Sequence, residues 1–186
     1  KLKITIGGLA GTGKGTVGKI LAEKLGYKFM SAGEFFRNIA IGLEISSSKL
    51  EQLAIDTPVY DRRVDAQTEE FGIKNDNFIF DGRIAYHYIP DSKKILLVCD
   101  NYERFRRIAF RDKLLLKEAE KVTLQRERAI RERYKNLYGI LKFDYPKNYD
   151  LVIDTTTPRA IDIAFQIENF VNGDRHKSSV KELFDT

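Results

Sequence analysis

The chain has 186 residues, of which 42% are hydrophobic and 32% charged, and its formal net charge is +5. This length and apolar content predict one folded domain and exclude a disordered chain. A single cysteine, Cys99, excludes an intramolecular disulfide framework, and no apolar run reaches the roughly 20 residues of a membrane-spanning helix. We therefore expect a cytoplasmic protein without a membrane partner.

In chain order, short apolar segments alternate with segments of helical periodicity. Strands are predicted at residues 3–6, 27–31, 77–81, 94–100 and 150–154. Helices are predicted at residues 17–25, 32–41, 49–55, 58–71, 101–112 and 118–138, and from residue 158 onward. This alternation predicts an α/β three-layer sandwich, in which a five-stranded parallel sheet carries helices on both faces.

A glycine-rich segment links the first strand to the first helix. Its residues are Gly8, Leu9, Ala10, Gly11, Thr12, Gly13, Lys14, Gly15 and Thr16. The spacing Gly-x4-Gly-Lys between a strand and a helix is that of a phosphate-binding loop, or P-loop, whose glycines let consecutive N–H groups surround phosphates. The helix dipole and Lys14 add positive charge. We predict that this loop binds the phosphates of ATP and that Lys14 is catalytic.

One position of the loop departs from the general motif. The residue after the lysine is usually Ser or Thr, whose hydroxyl binds Mg²⁺, whereas this chain has Gly15 there and Thr16 one residue later. The spelling Gly-x-Gly-Lys-Gly-Thr resembles the nucleoside monophosphate kinases of the P-loop NTPase superfamily, which do not need that direct ligand. A GTPase switch or a motor ATPase is disfavoured for the same reason.

The segment Ser-Ala-Gly-Glu-Phe-Phe-Arg after the second strand resembles the acceptor side of adenylate and cytidylate kinases. It contains Ser31, Gly33 and Arg37. The resemblance implies that these residues bind the acceptor nucleotide, with Arg37 on its phosphate. Asp61 and Asp65 lie four residues apart on one face of a later predicted helix, where they either contact the substrate or are solvated acids.

The third strand ends in Asp81-Gly82-Arg83, which resembles the corresponding segment of cytidylate kinases. The resemblance implies that Arg83 binds the acceptor and that Asp81, together with Thr16, holds Mg²⁺ through water. Asp100 also ends a predicted strand, but Asp81 is favoured because a glycine and an arginine accompany it. The resemblance to archaeal-type cytidylate kinases covers residues 3 to 171.

A basic segment from 104 to 135 holds twelve Lys or Arg against five Asp or Glu, a net +7. Within it, Arg126 and Arg133 are seven residues apart and share a helix face. Cytidylate kinases carry two lid arginines at this separation, and the resemblance makes Arg126 and Arg133 the catalytic pair at the transferring phosphoryl group. For Arg128 and Arg131, simple solvation of the helix is an acceptable alternative.

Three positions depart from the family pattern. Ile130 and Ile84 stand where bacterial cytidylate kinases carry Asp, and Ala129 stands where the archaeal type often has Ser. Some of those side chains read the base or the sugar, so the departures leave the identity of the base open. They do not affect the prediction of phosphoryl transfer.

The resemblance implies a nucleoside monophosphate kinase that uses ATP and Mg²⁺ to phosphorylate CMP or dCMP. We expect one domain over 1–186, with an acceptor-binding insertion at about 33–75, a basic lid at about 104–135 and a polar tail at 172–186. A monomer is expected, with a small-molecule partner rather than nucleic acid. The alternatives are another acceptor, such as AMP or UMP, or an RNA- or ribosome-associated ATPase whose basic segment binds nucleic acid. His87 and His176 are interpreted as structural or exposed residues, and Cys99 as an inert core residue.

Overall fold

The computed structural model describes residues 1–184, without the side chains of 48, 55, 56 and 174–184. Its strands are β1 (Lys3–Gly7), β2 (Lys28–Ser31), β3 (Phe78–Asp81), β4 (Lys93–Val98) and β5 (Leu151–Asp154). Its helices are α1 (Lys14–Leu25), α2 (Ala32–Gly42), α3 (Ser47–Asp56), α4 (Val59–Lys74), α5 (Ala85–Tyr88), α6 (Asn101–Asp112), α7 (Leu116–Tyr138) and α8 (Ala160–Phe184). A 3₁₀ turn covers Pro146–Asn148.

The five strands form one parallel sheet in the order β2-β3-β1-β4-β5, which confirms the predicted sheet. The register aligns Ile6 of β1 with Asp81 of β3, and Asp81 with Ser31 of β2. The carboxyl ends of these three strands therefore lie level. In parallel sheets with helices on both faces, ligands bind beyond this edge.

Helices cover both faces of the sheet. On one face, the apolar side chains of β1, β4 and β5 pack with α1 and α8 in a cluster that includes Ile6, Leu97 and Ile167. On the other face, Phe78 and Phe80 of β3 pack against α5 and side chains of α2 and α4. The predicted three-layer arrangement is confirmed.

Caps define where the acceptor-side helices begin. Ser31 accepts a hydrogen bond from the backbone N–H of Glu34 and so caps α2, while Ser46 accepts one from Lys49 and caps α3. A serine at this position satisfies one of the N–H groups that the first helical turn leaves unpaired. Ser31 thus marks both the end of β2 and the start of α2, which brings α2 to the ligand-binding edge.

The structure differs from the predicted elements at several points. Helix α4 does not end before Gly72 but continues to Lys74. Gly72 is a packing residue, because a Cβ there would lie 2.8 Å from Cγ1 of Ile89. Helix α5 and the 3₁₀ turn were not predicted, since each is too short for a periodic pattern to show.

The remaining differences concern the ends of elements. Strand β4 ends at Val98, two residues before the prediction. Helix α8 continues to Phe184 through most of the predicted tail, whose residues 185 and 186 lie outside the described residues. Among the helices that the structure describes, none is both long enough and apolar enough to cross a membrane.

Candidate active site

The glycine-rich loop between β1 and α1 adopts a conformation that its glycines make possible. Gly8, Gly11 and Gly13 have φ angles of 135°, 82° and 86°, values that side chains with a Cβ rarely adopt. At Gly11 there is also no room, because a Cβ would lie 2.7 Å from the carbonyl oxygen of Arg104. The loop therefore packs directly on the backbone of α6.

Four successive carbonyl groups of the loop are engaged by side chains. Leu9 O accepts from Thr12 Oγ1 at 2.9 Å and from Lys14 Nζ at 2.8 Å. The next three carbonyls, of Ala10, Gly11 and Thr12, accept from Arg104 Nε at 2.7 Å, Arg107 Nη1 at 3.4 Å and Thr155 Oγ1 at 3.0 Å. With its carbonyls held in this way, the loop is suited to present N–H groups to an anion.

Lys14 begins α1 and lies next to Asp81 at the end of β3. Burial lowers the pKa of Lys14 to about 8, against the opposing effect of the Asp81 carboxylate. Arg83, Arg104 and Arg126 lower the pKa of Lys14 further. This lysine therefore stands in a cationic environment in which an anion would stabilise its charged form.

The carboxylate of Asp81 lies close to Gly15 of the loop. A Cβ built at Gly15 would lie 3.5 Å from Oδ2 of Asp81. Burial raises the pKa of Asp81, while the charges of Lys14, Arg83 and Arg37 lower it. The carboxylate thus stands beside the position at which the general loop motif carries a hydroxyl.

The residues that the structure describes contain no cation site made by protein side chains alone. No group of three or more His, Cys, Asp or Glu side chains within the described part of the chain could hold a metal ion. Asp81 is nevertheless a hard oxygen donor beside the loop, and Thr16 is exposed on the first turn of α1. These two donors fit Mg²⁺, which keeps several waters and binds through one or two carboxylates plus substrate phosphates.

The predicted acceptor residues gather at the same edge of the sheet. Arg37 is exposed on α2, and a Cβ at Gly33 would lie 3.4 Å from its Nη1 atom. Arg83 follows β3, and both arginines act on Asp81 electrostatically. Two side chains that are distant in sequence are thus brought to one carboxylate beside the loop.

Both predicted lid arginines lie on α7 and pair with acids of the acceptor-side helices. Arg126 forms a hydrogen-bonded ion pair with Glu51 of α3. Arg133 Nε lies 2.8 Å from Oδ2 of Asp61 on α4, and Asp61 is only 7% exposed. Burial, and then the charge of Arg83, lower the pKa of Arg126. A cleft between the loop, α6 and α7 is lined by residues that include Ala10, Arg83, Arg111 and Arg126.

Asp61 and Asp65 are not free surface acids. Burial raises the pKa of Asp61, and Arg133 lowers it. Asp65 accepts a hydrogen bond from the hydroxyl of Tyr138. Burial raises the pKa of Asp65 to about 6, against the effect of that hydrogen bond. Together these acids connect α4 to Arg133 and Tyr138 in the C-terminal half of α7.

The two isoleucines that depart from the family pattern lie in one apolar cluster. Ile84 is 5% exposed and Ile130 is 4% exposed, and they share this cluster with Tyr134 and Phe143. Because both positions are apolar and buried, neither side chain can hydrogen-bond a base or a sugar. The two departures therefore form a single packed unit.

The other residues that the sequence singled out have structural environments. Asp100 caps α6 by accepting from the N–H of Tyr102 at 2.8 Å. Arg131 forms two hydrogen bonds with Asp144, at 3.0 and 2.9 Å. Cys99 is a partly buried free thiol, and the side chain of His176 lies outside the described residues. His87 is exposed and meets the ring of Tyr88 edge-on at 5.0 Å.

Four residues beside the loop and the cleft carried no individual prediction: Arg104, Arg107, Arg111 and Glu127. The sequence assigned the three arginines to the basic lid, but Arg104 is 1% exposed and lies under the loop. Arg107 also donates to Thr155 O at 2.7 Å. A basic run gives no signal of which members point inward, so sequence reasoning could not have separated these residues from the solvated ones.

Comparison with protein families matches residues 3–157 to the "Cytidylate kinase-like family". The cytidylate kinase of Methanocorpusculum labreanum is 34% identical over 157 residues, which cover 84% of this chain and 88% of that protein. The cytidylate kinase of Sulfolobus acidocaldarius is 37% identical over 166 residues, with coverages of 88% and 90%.

Among solved structures, the shikimate kinase of Acinetobacter baumannii in complex with shikimate superposes with a TM-score of 0.61 at 20% sequence identity. The match covers 93% of this chain and 94% of that chain. At this identity the likeness concerns the fold alone, and it confirms the predicted P-loop NTPase fold.

Proposed function

The chain belongs to the cytidylate kinase-like family, and we propose that it transfers the γ-phosphate of ATP to CMP or dCMP. The observation that carries this proposal is the gathering of cationic groups around Asp81 and the glycine-rich loop. Lys14, Arg37 and Arg83 all act on the Asp81 carboxylate electrostatically, although they come from three separate segments. Such a concentration of positive charge at the carboxyl edge of a parallel sheet suits two phosphorylated substrates.

On the donor side, residues Gly8 to Thr16 bind the phosphates of ATP through backbone N–H groups and the start of α1. Lys14 contacts the β- and γ-phosphates. The hydrogen bonds to the carbonyls of Ala10, Gly11 and Thr12 support this assignment, because they hold the loop before a phosphate arrives. A preorganised loop does not have to rearrange during the reaction.

Mg²⁺ would be held by Asp81, through water, and by the hydroxyl of Thr16. When bound, Mg²⁺ neutralises charge on the β- and γ-phosphates. Asp81 is suited to this role because it lies beside Gly15, next to the phosphate-binding loop. The positive charges of Lys14, Arg83 and Arg37 favour its ionised form.

On the acceptor side, Arg37 and Arg83 bind the phosphate of the monophosphate. Ser31 and Gly33 form the start of α2, which carries Arg37 to the site. Asp61 and Asp65 line the same region between α4 and α7 and contact the acceptor beyond its phosphate. The paired isoleucines 84 and 130 do not take part, because both are buried in apolar packing.

The reaction needs no general base, because the acceptor oxygen belongs to a phosphate that is already ionised at neutral pH. Positioning and electrostatic stabilisation therefore supply the rate. Arg126 and Arg133 exchange their partners Glu51 and Asp61 for oxygens of the transferring phosphoryl group. Arginine suits this exchange because its planar donors bind carboxylate and phosphate in the same bidentate manner.

The test is ADP production by the purified protein with ATP, Mg²⁺ and each of CMP, dCMP, UMP, AMP and GMP. Fast turnover with CMP or dCMP and little with the purine nucleotides is expected. A preference for AMP or UMP would keep the chemistry and replace the acceptor. Failure with all five, together with ATP hydrolysis that RNA stimulates, would instead support the RNA-associated ATPase.

A further inference from the structure

Arg104 is the most deeply buried charged residue among those described, with 1% of its surface exposed. Its guanidinium binds three separate parts of the molecule. Nε donates to the carbonyl of Ala10 in the phosphate-binding loop at 2.7 Å, and Nη1 donates to Oδ1 of Asn101 at the start of α6, also at 2.7 Å. Nη2 donates to the carboxylate of Glu127 on α7.

Glu127 is the residue directly after Arg126 in the chain, and the residue that follows it has no proposed catalytic role. Its side chain points inward, and the residue is 8% exposed, whereas Arg126 reaches outward to Glu51. Because the two residues are adjacent on α7, a shift of the helix that moves Glu127 moves Arg126 by the same amount. The Arg104 guanidinium thus stands between the carbonyl of Ala10 and the backbone segment that presents Arg126.

Stability alone gives a weak reason for this buried pair. Replacing a buried ion pair by well-packed apolar side chains is often neutral or stabilising, because the desolvation of two charges offsets their attraction. An apolar contact does not fix the relative orientation of the groups that it joins. A guanidinium has its donors in a rigid plane, so the orientation of the Ala10 peptide and the place of the Glu127 carboxylate are set relative to one another.

We propose that Arg104 and Glu127 are positioning residues that couple the phosphate-binding loop to the lid helix α7. Phosphate binding restrains the already preorganised Ala10 peptide further, the Arg104 guanidinium passes this restraint to Glu127, and Glu127 sets the position of Arg126 at the transferring group. This inference rests on the proposed function, in which Arg126 acts on the phosphoryl group during transfer.

The first test is a double-mutant cycle between Glu127 and Arg126. Glu127→Gln should lower kcat with CMP by about 30-fold or more, since a displacement of 1 Å can cost about 10²-fold in rate. In an Arg126→Ala background, the same change should lower kcat by less than about threefold, because a positioning residue has nothing left to position. Equal losses in both backgrounds would overturn the proposal.

The second test separates coupling from stability. In the Arg104→Met/Glu127→Leu double variant, both charges are replaced by apolar side chains. Its melting temperature should therefore be close to that of the wild type. The rate should stay about 30-fold low, because the link between loop and helix is gone. A double variant with a wild-type rate would overturn the proposal. This test also stands if Glu127→Gln does not fold.

Asp144→Asn is the matched control, because it removes a carboxylate that pairs with another arginine of α7, Arg131. It should lower the melting temperature and leave kcat within about threefold of the wild type. A loss of kcat as large as that of Glu127→Gln would show that any ion pair on α7 matters, and would overturn the specific coupling.

Hydrogen exchange keeps the inference separate from the proposed function. ATP with Mg²⁺ should slow amide exchange in α7 of the wild type, and this protection should be at least about tenfold weaker in Glu127→Gln at saturating ATP. Equal protection in both proteins would overturn the coupling, even if CMP is phosphorylated. An inactive wild type whose α7 is protected through Glu127 would contradict the proposed function and support the coupling.

Discussion

Arg133 of α7 donates from Nη2 to Oδ1 of Asp61 on α4 over 3.1 Å, and the two side chains are 14% and 10% exposed. The pair joins a residue expected at the transferring phosphoryl group to one expected at the acceptor. Arg126 and Glu51 form the equivalent link to α3. The lid helix is thus tied to the acceptor-side helices by the same arginines that we propose act on the phosphoryl group, and substrate phosphates would have to compete with Glu51 and Asp61.

Removal of either lid arginine should impair phosphoryl transfer severely. An arginine at the transferring group is worth roughly 10³–10⁵ in rate, so Arg126→Ala and Arg133→Ala should each lower kcat by at least about 10²-fold. Steady-state assays with saturating ATP and CMP measure the effect. Arg128→Ala, which changes an exposed arginine of the same helix, is the control and should leave kcat unchanged. Losses below about tenfold for both lid variants would rule out their assignment.

ATP binding should become coupled to proton uptake above neutral pH. Burial lowers the pKa of Lys14 to about 8, so this lysine is largely neutral at pH 9 in the free enzyme. The phosphates of ATP favour its charged form, and binding should then draw a proton from solution and weaken by up to about tenfold per pH unit above 8. Calorimetry at pH 8.5 in two buffers of different ionisation enthalpy measures the uptake.

The Lys14→Arg variant provides the control for this titration. Arginine keeps its charge over the whole range, so the buffer-dependent part of the binding heat should disappear. A heat that is independent of the buffer in the wild-type protein would contradict the assignment of the titrating group to Lys14.

Asp65 should make the protein less stable as the pH rises from about 4 to about 6. Burial raises the pKa of its carboxyl to about 6 in the folded chain, whereas an unfolded aspartate titrates near about 3.9. Between these values the folded state binds more protons than the unfolded state, so the free energy of unfolding falls with rising pH. Partial exposure reduces the effect to about 1–3 kcal/mol.

Asp65→Asn isolates that contribution from other carboxyl groups. Asparagine does not titrate, yet it can still accept the hydrogen bond from Tyr138. Urea unfolding at a series of pH values should show the variant gaining stability relative to the wild type between pH 4 and pH 7. A difference that stays constant over this range would contradict the prediction.

Gly11→Ala should disrupt the phosphate-binding loop. The residue has φ of 82°, and a Cβ would lie 2.7 Å from the carbonyl oxygen of Arg104. Gly26→Ala is the matched control, because Gly26 also has positive φ, at 65°, but no atom lies within 4 Å of its built Cβ. Both changes should cost about 1–2 kcal/mol for the backbone conformation, and only Gly11→Ala should add a steric cost and lose ATP affinity. Equal effects on stability and ATP binding would show that the contact with α6 is unimportant.

Asp81→Asn should change the dependence of activity on Mg²⁺. The amide keeps the shape of the side chain but loses the negative charge that favours the cation, so the Mg²⁺ concentration for half-maximal rate should rise by about tenfold or more. Asp100→Asn, which changes the acid two residues after the end of β4, serves as the control. Asp100 caps α6, and asparagine caps a helix about as well as aspartate, so this change should leave both the stability and the Mg²⁺ dependence nearly unchanged. An unchanged Mg²⁺ profile for Asp81→Asn would exclude it from the metal site.

Much of this molecule was determined by local sequence. The strands could be recognised because short apolar segments between helical segments are typical of a parallel sheet, and the loop because closely spaced glycines before a lysine and a helix are typical of phosphate binding. In the structure, Ser31 and Ser46 cap α2 and α3 by accepting a hydrogen bond from an N–H three residues away, so these starts too depend on local sequence. Each of these signals depends on residues that lie close together in the chain, so it can be recognised without the tertiary structure.

The tertiary structure alone decided which charges are buried and with what they pair. The sequence shows a basic run in which Arg104 and Arg128 look alike, yet one lies under the loop and the other is exposed. Asp61 pairs with Arg133, which is 72 residues away in the sequence, and Ile84 and Ile130 pack in the same apolar cluster. Long-range pairs of this kind depend on how α4, α6 and α7 pack on the sheet, because the free energy of a buried charge is set by its neighbours in space rather than along the chain.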